Sequence, residues 1–208
     1  IHSLSASGEE EHMVFCESHC VERDSFLATP GSDPDALIVG NNCSEAARRA
    51  GLNCGNLSHD EERTQLALWA LAGAPLQIGA ELRSIPEASR ALLQNTEVLA
   101  IQGDSLGRPA YRFRAENSGD HGWLKPLLGG SVAIALVNMG ESPARLGFDP
   151  TEAGFAPGLP LTVRDVYSKQ DIGTAKAGTR FAPEAVVPAH GVHFLRLSVR
   201  LDSILPCK

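Results

Sequence analysis

Hydrophobic and polar positions follow two different patterns along this chain of 208 residues. Between residues 36 and 95, short continuous apolar runs alternate with stretches in which apolar residues recur at every third or fourth position. Continuous runs are typical of strands buried on both faces of a parallel sheet, and the longer period is typical of amphipathic helices. We therefore predict the order strand, helix, strand, helix, at residues 36–39, 59–72, 76–78 and 86–94.

Both predicted helices begin at recognisable capping residues. Ser58 and Glu61 have the spacing of a capping box, in which the serine hydroxyl accepts the Glu61 amide and the glutamate reaches back to the serine amide. Ser84 and Glu87 repeat that spacing at the second helix. Asn95 is predicted to end this helix.

Beyond residue 109 the apolar residues follow a period of two, and no helical pattern of useful length remains. Alternation interrupted by turn residues is typical of antiparallel strands. We predict strands at residues 131–137, 161–167 and 193–199, with turns at Gly129-Gly130, Gly140, Gly173 and Gly178. This half is therefore predicted to be an antiparallel β-sandwich.

Composition excludes two classes of partner. The formal net charge of −7 and the absence of a block of Lys or Arg argue against nucleic acid. The longest apolar run, residues 66–78, is interrupted by Gly73, Pro75 and Gln77, and it is too short to span a bilayer. We expect no nucleic-acid partner and no membrane span.

Cysteines and glycosylation patterns favour an oxidising compartment. The chain has five cysteines and two acceptor patterns, at Asn42 and Asn56. It begins at Ile1, which fits removal of a leader as well as a fragment boundary. We therefore expect a protein that is secreted, extracellular or vacuolar, and that carries a glycan on Asn42 or Asn56.

The five cysteines leave the disulfide pairing open. Cys43 and Cys54 bracket a short polar segment and are candidates for one small disulfide loop, while Cys16, Cys20 and Cys207 remain. Histidines near Cys16 and Cys20 raise the alternative of a zinc site. Their spacing is atypical for structural zinc, so disulfides or plain thiols are favoured, and we expect no metal and no cofactor.

Asp33 and Asp35 flank a proline immediately before the apolar run at residues 36–39. Asp-Pro-Asp is good turn chemistry, which gives the pair a purely structural interpretation. The alternative is an acidic sugar or metal site beside a strand of a parallel sheet.

Five longer motifs are LSHDEERTQLALWALAGAPLQIGAELRSI, ALLQNTEVLAIQGDSLGRP, WLKPLLGGSVAIALVNMG, VRDVYSKQDIG and PAHGVHFLRL. Together they resemble glycoside hydrolase family 27, the α-galactosidases and α-N-acetylgalactosaminidases. The first two are similar to the last helices and last strand of the family's catalytic barrel, and the other three are similar to its C-terminal β-domain. The resemblance covers roughly residues 31–199. It implies an α/β remnant of a (β/α)8 barrel followed by an all-β antiparallel sandwich.

The resemblance also implies a division of the chain and a set of sugar-contacting residues. We predict a divergent segment at residues 1–30, a partial barrel at residues 31–108 and the sandwich at residues 109–208. GSDPDALIVGN resembles the seventh barrel strand of the family, where the second acid lines the sugar pocket. The resemblance therefore implies that Asp35 lines a sugar pocket, with Asp33 beside it. A fainter match to the fifth strand gives Glu17 a contact with the sugar 2-substituent.

The two catalytic carboxylates of the family have no counterpart in these motifs. Retaining glycosidases need a nucleophile and an acid/base about 5–5.5 Å apart. The family places its nucleophile in a Lys-x-Asp context, and the single such sequence here, residues 169–171, falls inside a β-domain motif.

We therefore predict that the chain is inactive in isolation and serves as a structural or carbohydrate-interacting subunit of an extracellular assembly. A protein partner or a second copy would cover the barrel remnant, and α-galactoside-containing glycans are candidate ligands. The alternative is the C-terminal chain of a split or processed α-galactosidase whose catalytic carboxylates lie on another chain.

Overall fold

The computed structural model describes residues 35–41, 49, 57–113 and 120–200, and the fold below is that of these residues. Three helices occupy its first half: α1 at His59–Ala72, α2 at Glu87–Leu93 and α3 at Thr96–Gln102. Six strands follow: β1 at Tyr111–Phe113, β2 at Asp120–Pro126, β3 at Val132–Asn138, β4 at Pro160–Asp165, β5 at Gln170–Lys176 and β6 at Val192–Val199. A short 3₁₀ helix at Pro150–Ala153 lies between β3 and β4.

Helix α1 begins and ends where its sequence predicts. The capping box is complete: the Ser58 side chain accepts the Glu61 amide, and the Glu61 side chain accepts the Ser58 amide. Gly73 ends the helix in the left-handed conformation, with φ of 69°, which glycine adopts without steric cost. The helix is more deeply buried than an amphipathic pattern indicates, because every residue from 64 to 71 is buried. A helix buried all round lies between other elements and not on the surface.

The second predicted cap is wrong. Pro86 occupies the N-cap of α2 without a side-chain hydrogen bond, and the Ser84 hydroxyl donates to the Glu81 carbonyl instead. Asn95 follows the end of α2 as predicted, but it also begins α3, since its side chain accepts the amides of Glu97 and Val98. The periodicity predicted one helix that stops before Asn95, and it missed α3, which begins directly after this residue.

The six strands form one antiparallel sheet in the order β1-β2-β3-β6-β4-β5. Its central strand β3 is buried at all seven positions. Ala133, Ala135 and Val137 belong to one hydrophobic core with the helices, while Val132, Ile134 and Leu136 belong to a second core on the other face. The sheet therefore separates two cores.

The second core is closed by short paired segments that form the other layer of the sandwich. Ala144 pairs with Val187 and Phe148 with Phe181, each in an antiparallel bridge. Phe148 is fully buried and packs edge-to-face against Phe181 with ring centroids 6.1 Å apart. The predicted β-sandwich is confirmed, with one regular sheet and one irregular layer.

The sequence pattern did not predict the strands β1, β2 and β5. The edge strand β5 is mostly exposed and therefore shows no apolar alternation. The predicted turn at Gly173 is wrong, because this residue lies within β5. The predicted turn at Gly129-Gly130 is confirmed, and both residues have positive φ, of 82° and 77°.

The two predicted parallel strands are reduced to one bridge. Leu37 pairs with Ile78 in parallel, and the Leu37 amide and carbonyl bond Gln77 and Gly79 at 2.7 Å each. Leu37 is fully buried, but Ile78 is 42% exposed. The second segment is therefore not buried on both faces by the described residues.

Candidate functional site

Asp35, the described member of the predicted sugar-binding set, lies at the start of the first parallel segment, residues 35–41. Its backbone has a φ of 71°, a left-handed conformation that Asp tolerates better than most residues. Its carbonyl accepts the indole N–H of Trp69 at 2.8 Å, and its own Oδ1 accepts the Ala36 amide at 2.6 Å. The side chain is exposed. The structure thus places an exposed carboxylate on a backbone whose carbonyl is hydrogen-bonded to the buried Trp69 side chain.

Polar side chains of α1 hold the rest of this segment as well. Gln65 Oε1 accepts the Ile38 amide at 3.0 Å, and Glu62 Oε1 accepts the Gly40 amide at 2.7 Å. With Trp69 they form a row along one face of the helix, since positions three and four apart are neighbours on a helix surface. The segment therefore has hydrogen-bond partners on two sides: the second parallel segment at Leu37, and the helix elsewhere.

Glu62 is the most heavily bonded carboxylate of this region. It is 6% exposed, and the Ser89 hydroxyl lies 2.8 Å from Oε2 and 3.0 Å from Oε1. His59 Nδ1 lies 3.4 Å from the same Oε2. Donors that surround a buried carboxylate stabilise its charge and occupy its lone pairs. This arrangement fixes α1, α2 and the first segment together, and it leaves no oxygen aimed at a substrate.

Gly40 is required where this network turns. Its φ is 74°, and a Cβ added there would lie 2.4 Å from the Ile85 side chain. The Ile85 side chain, just before α2, and Ser89 within α2 occupy the space that a side chain at residue 40 would need.

The other predicted site residues lie outside the described residues. These are Asp33 and Glu17, the glycosylation candidates Asn42 and Asn56, and the cysteines Cys16, Cys20, Cys43, Cys54 and Cys207. Ser58, the third residue of the second acceptor pattern, is described, and its hydroxyl is engaged in the cap of α1. Within residues 35–41, 57–113 and 120–200 no group of three His, Cys, Asp or Glu side chains is arranged to hold a metal ion. The described helices include none long and apolar enough to cross a membrane.

Lys125 joins the helices to the sheet, and sequence reasoning missed it. It lies on β2, is 2% exposed, and its ammonium lies 3.1 Å from the Ala70 carbonyl, 2.7 Å from that of Ile101 and 3.2 Å from that of Gln102. These carbonyls end α1 and α3, where helix dipoles favour a cation. Burial lowers the pKa of Lys125 to about 8, although the charge of Asp104 acts in the opposite direction.

Further polar contacts extend the same junction. Arg164 on β4 makes a two-nitrogen ion pair with Glu97 of α3, with Nη2 2.7 Å from Oε1 and Nε 2.9 Å from Oε2. The Asn95 side chain donates to the Val166 carbonyl at 3.1 Å, and the Tyr167 hydroxyl donates to the Arg63 carbonyl. For Lys125, the available signal in the sequence was a lysine within an apolar strand pattern. Its partners are backbone carbonyls, which no sequence motif reveals.

Comparison with known proteins identifies the family. Residues 19–104 match the family described as "Alpha galactosidase A", and residues 120–197 match the "Alpha galactosidase C-terminal beta sandwich domain". Alpha-galactosidase 3 of Arabidopsis thaliana is 30% identical over 175 residues, which is 82% of this chain and 36% of that protein. Alpha-N-acetylgalactosaminidase of Gallus gallus is 32% identical over 158 residues, which is 74% of this chain and 36% of that protein.

Solved structures agree on the fold. A GH27 β-L-arabinopyranosidase from Geobacillus stearothermophilus superposes with a TM-score of 0.69 at 26% identity, over 81% of this chain and 37% of that one. An α-galactosidase from Saccharomyces cerevisiae superposes with a TM-score of 0.67 at 22% identity, over 81% of this chain and 47% of that one.

The chain belongs to glycoside hydrolase family 27, and it corresponds to the C-terminal portion of that family, a barrel fragment followed by the β-sandwich. It spans between 24% and 42% of the length of the curated relatives that it matches. The resemblance drawn from the sequence motifs is thereby confirmed, as is the fold class.

Proposed function

We propose that this chain is a non-catalytic structural or carbohydrate-interacting unit of the α-galactosidase family, which docks its barrel fragment onto polypeptide that supplies the missing strands. The observation that carries the proposal is the single parallel bridge between Leu37 and Ile78. A barrel of this class needs eight parallel strands. In the described residues, the barrel is represented by two short segments joined by one bridge. These segments pack against the helices and the complete β-sandwich.

Exposed apolar side chains lie on the second of these segments and just beyond it. Ile78 is 42% exposed and Leu82 is 61% exposed. Apolar surface beside an incomplete parallel sheet favours an interface with further protein. The partner in this proposal is a polypeptide with family 27 barrel strands, or a second copy of this chain.

The chemistry of the described carboxylates supports a non-catalytic role. A retaining glycosidase needs two carboxylates about 5–5.5 Å apart and free to reach the sugar. The Lys-x-Asp sequence at residues 169–171 begins the edge strand β5, and Asp171 is paired with Arg164 at 3.0 Å. It therefore belongs to the sandwich. Asp35 remains the candidate for sugar contact, because its side chain is exposed and its backbone carbonyl is hydrogen-bonded to the Trp69 indole.

The proposal is tested by hydrolysis of an aryl α-galactoside by the purified full chain. We expect no turnover above that of buffer, with or without the substitution Asp35→Asn. Turnover that disappears in Asp35→Asn would refute the non-catalytic role.

The split-enzyme alternative is separated by adding a partner. When the chain is mixed with the N-terminal barrel part of a family 27 α-galactosidase, the structural proposal expects a complex without hydrolysis. Hydrolysis that requires both polypeptides would establish the alternative instead.

We also propose an oxidising compartment, secreted or vacuolar, on the basis of the five cysteines and the two acceptor patterns. The test is a non-reducing gel of the native protein together with a measurement of its intact mass. We expect added glycan mass, and a mass equal to that of the bare chain would contradict the assignment of Asn42 or Asn56.

A further inference from the structure

The two parallel segments of the barrel fragment differ at their outer edges, the sides that face away from each other. In the first segment, the Leu37 carbonyl accepts an amide of the second segment, so the Ile38 amide of the same peptide unit faces outward. This amide donates to Gln65 Oε1 at 3.0 Å, and the Ile38 carbonyl accepts the Asn41 amide at 3.0 Å. The outer edge of the first segment is therefore closed at Ile38 by groups of this chain.

The second segment, residues 76–79, has an open outer edge. Its Gln77 carbonyl and its Gly79 amide both bond Leu37, at 2.7 Å each. Because the C=O and N–H of one trans peptide unit point in opposite directions, the Ile78 amide and the Ile78 carbonyl both face away from the first segment. Among the described residues, neither of these two groups has a hydrogen-bond partner. Ile78 therefore presents one donor and one acceptor side by side.

The open edge also lies on the surface. Ile78 is 42% exposed, and Leu82 just beyond it is 61% exposed. Unpaired backbone groups on a strand edge are a template for pairing with another chain. In such strand addition the main-chain hydrogen bonds supply affinity, and the side chains beside them supply specificity. The edge at Ile78 offers both kinds of contact.

The bridge that already exists shows what a further strand would have to present. Leu37 uses its own amide and carbonyl, and the second segment answers with groups of two different residues, Gln77 and Gly79. This unequal pattern is that of a parallel pair. Ile78 stands toward the open side as Leu37 stands toward the second segment, so a parallel strand would answer it with one carbonyl and one amide. A second copy related by a two-fold axis would offer Ile78 itself, which pairs only in the antiparallel sense.

We propose that the outer edge at Ile78 is a strand-addition site, which accepts one parallel strand from a polypeptide that carries family 27 barrel strands. The occupant follows from the family, because this chain corresponds to its C-terminal portion and the strands of a complete barrel are parallel. The closed edge at Ile38 directs the addition to one side. The inference rests on the proposed function and deepens it, since it names the edge and the kind of contact.

The test separates the backbone contact from the side-chain contact at Ile78. Ile78→Pro removes the outward N–H, which the internal bridge does not use, and proline is tolerated on a strand edge that faces solvent. Ile78→Ala shortens the exposed side chain and keeps the N–H. Ile172→Ala is the matched control, since Ile172 is 41% exposed but lies on β5 of the sandwich.

Each variant competes with the wild-type full chain, under a different tag, for a limiting amount of the co-expressed N-terminal barrel part of a family 27 α-galactosidase. The readout is the share of the variant in the captured complex. We expect the share of Ile78→Pro to be lower than that of Ile78→Ala by about tenfold or more, because the added strand is left with a buried carbonyl that lacks a donor. Ile172→Ala should be captured as well as the wild-type chain.

The outcomes of the competition distinguish this inference from the proposed function. Equal losses for the two Ile78 variants would overturn strand addition, because the contact would then depend on the side chain alone. Undiminished capture of Ile78→Pro would also overturn it, while leaving the docking of the proposed function in place. No capture of the wild-type chain would overturn both.

Residue-resolved hydrogen exchange of the wild-type chain decides the matter even if Ile78→Pro fails to fold. The Ile78 amide should exchange without protection in the free full chain and should slow by about tenfold or more in the captured complex. The Leu37 amide, which is bonded within the chain, is the internal control and should be protected in both samples. An Ile78 amide that is already protected in the free chain, or unprotected in the complex, would overturn the inference.

Discussion

The β-sandwich and the barrel fragment differ in how completely each pairs its own backbone hydrogen-bonding groups and buries its own apolar side chains. In the sandwich, β3 is hydrogen-bonded on both edges and buried on both faces. Among the described residues of the barrel fragment, one parallel bridge joins two segments, and the second segment carries a 42% exposed isoleucine. The first segment is held instead by side chains of α1, which itself shares a core with the sheet. A region can thus be ordered without being self-sufficient, when a complete neighbouring domain supplies its core.

The largest expected effect comes from the core that the two regions share. Trp69 is 2% exposed, packs in the helix-facing core and bonds the Asp35 carbonyl. Trp69→Ala should lower the free energy of unfolding by about 3–5 kcal/mol, the usual cost of removing a large buried aromatic ring. Urea unfolding at fixed protein concentration measures this value.

The matched control is Leu128→Ala in the turn after β2, away from the exposed apolar residues of the barrel fragment. Leu128 is 61% exposed, so the same measurement should change by less than about 0.5 kcal/mol. If the two substitutions cost the same, the shared core would not be what orders the barrel fragment.

The next effect concerns the buried ammonium at the junction. Lys125→Met keeps a long apolar stem but removes the ammonium donor from the carbonyls of Ile101 and Gln102 and from that of Ala70, which keeps only the Gly73 amide. We expect a loss of about 1–3 kcal/mol in the free energy of unfolding, the cost of buried acceptors without a partner. Lys176→Met, on the exposed edge strand, should cost almost nothing in the same urea titration.

The difference in stability between the wild-type chain and Lys125→Met should depend on pH, and the direction of the change can be predicted. Because burial lowers the pKa of folded Lys125 to about 8, below its ordinary value of 10.5, the unfolded chain binds the proton more tightly between these values. The stability of the wild-type chain relative to Lys125→Met should therefore increase as pH rises from about 8 to about 10. A decrease over this range would mean that the three carbonyls and Asp104 hold the charge more strongly than burial opposes it.

The smallest effect belongs to the cap of α1. Ser58→Ala removes the side-chain acceptor for the Glu61 amide and should cost about 1 kcal/mol. Protein made without glycosylation is needed, since Ser58 also completes the acceptor pattern at Asn56. Ser105→Ala, in an exposed turn, is the control in thermal unfolding and should leave the Tm unchanged. Equal shifts in Tm would remove the capping box from the account.

What the sequence revealed about the fold depended on how local each signal was. The bounds of α1 follow from Ser58, Glu61 and Gly73, which act within one turn of the chain. β3 and β6 were predicted within a residue or two, because their buried positions are apolar. β5 was missed because an exposed edge strand has no apolar face to reveal. Continuous apolar runs predicted parallel strands, yet β3 shows that an antiparallel strand between two cores has the same pattern.

The candidate site was less predictable, because its contacts join distant parts of the chain. Asp35 was singled out by its place beside a predicted buried strand and was given its sugar contact by resemblance, but nothing in its neighbourhood indicated the hydrogen bond from Trp69, 34 residues away. The helical pattern of α1 gave no sign that Glu62 and Gln65 accept the backbone amides of Gly40 and Ile38. Polar residues that bond backbone groups carry no spacing rule, so only the fold identifies them.

The most direct test of the central claim, that the barrel fragment requires further protein to cover it, is light scattering of the native full chain at micromolar concentration. Ile78→Asp and Leu82→Asp together place charges on the exposed apolar residues without touching either core. The account predicts that the wild-type chain associates, with itself or with a co-purifying partner, and that the double variant shifts toward monomer. A stable, monodisperse monomer of the unmodified chain would contradict it.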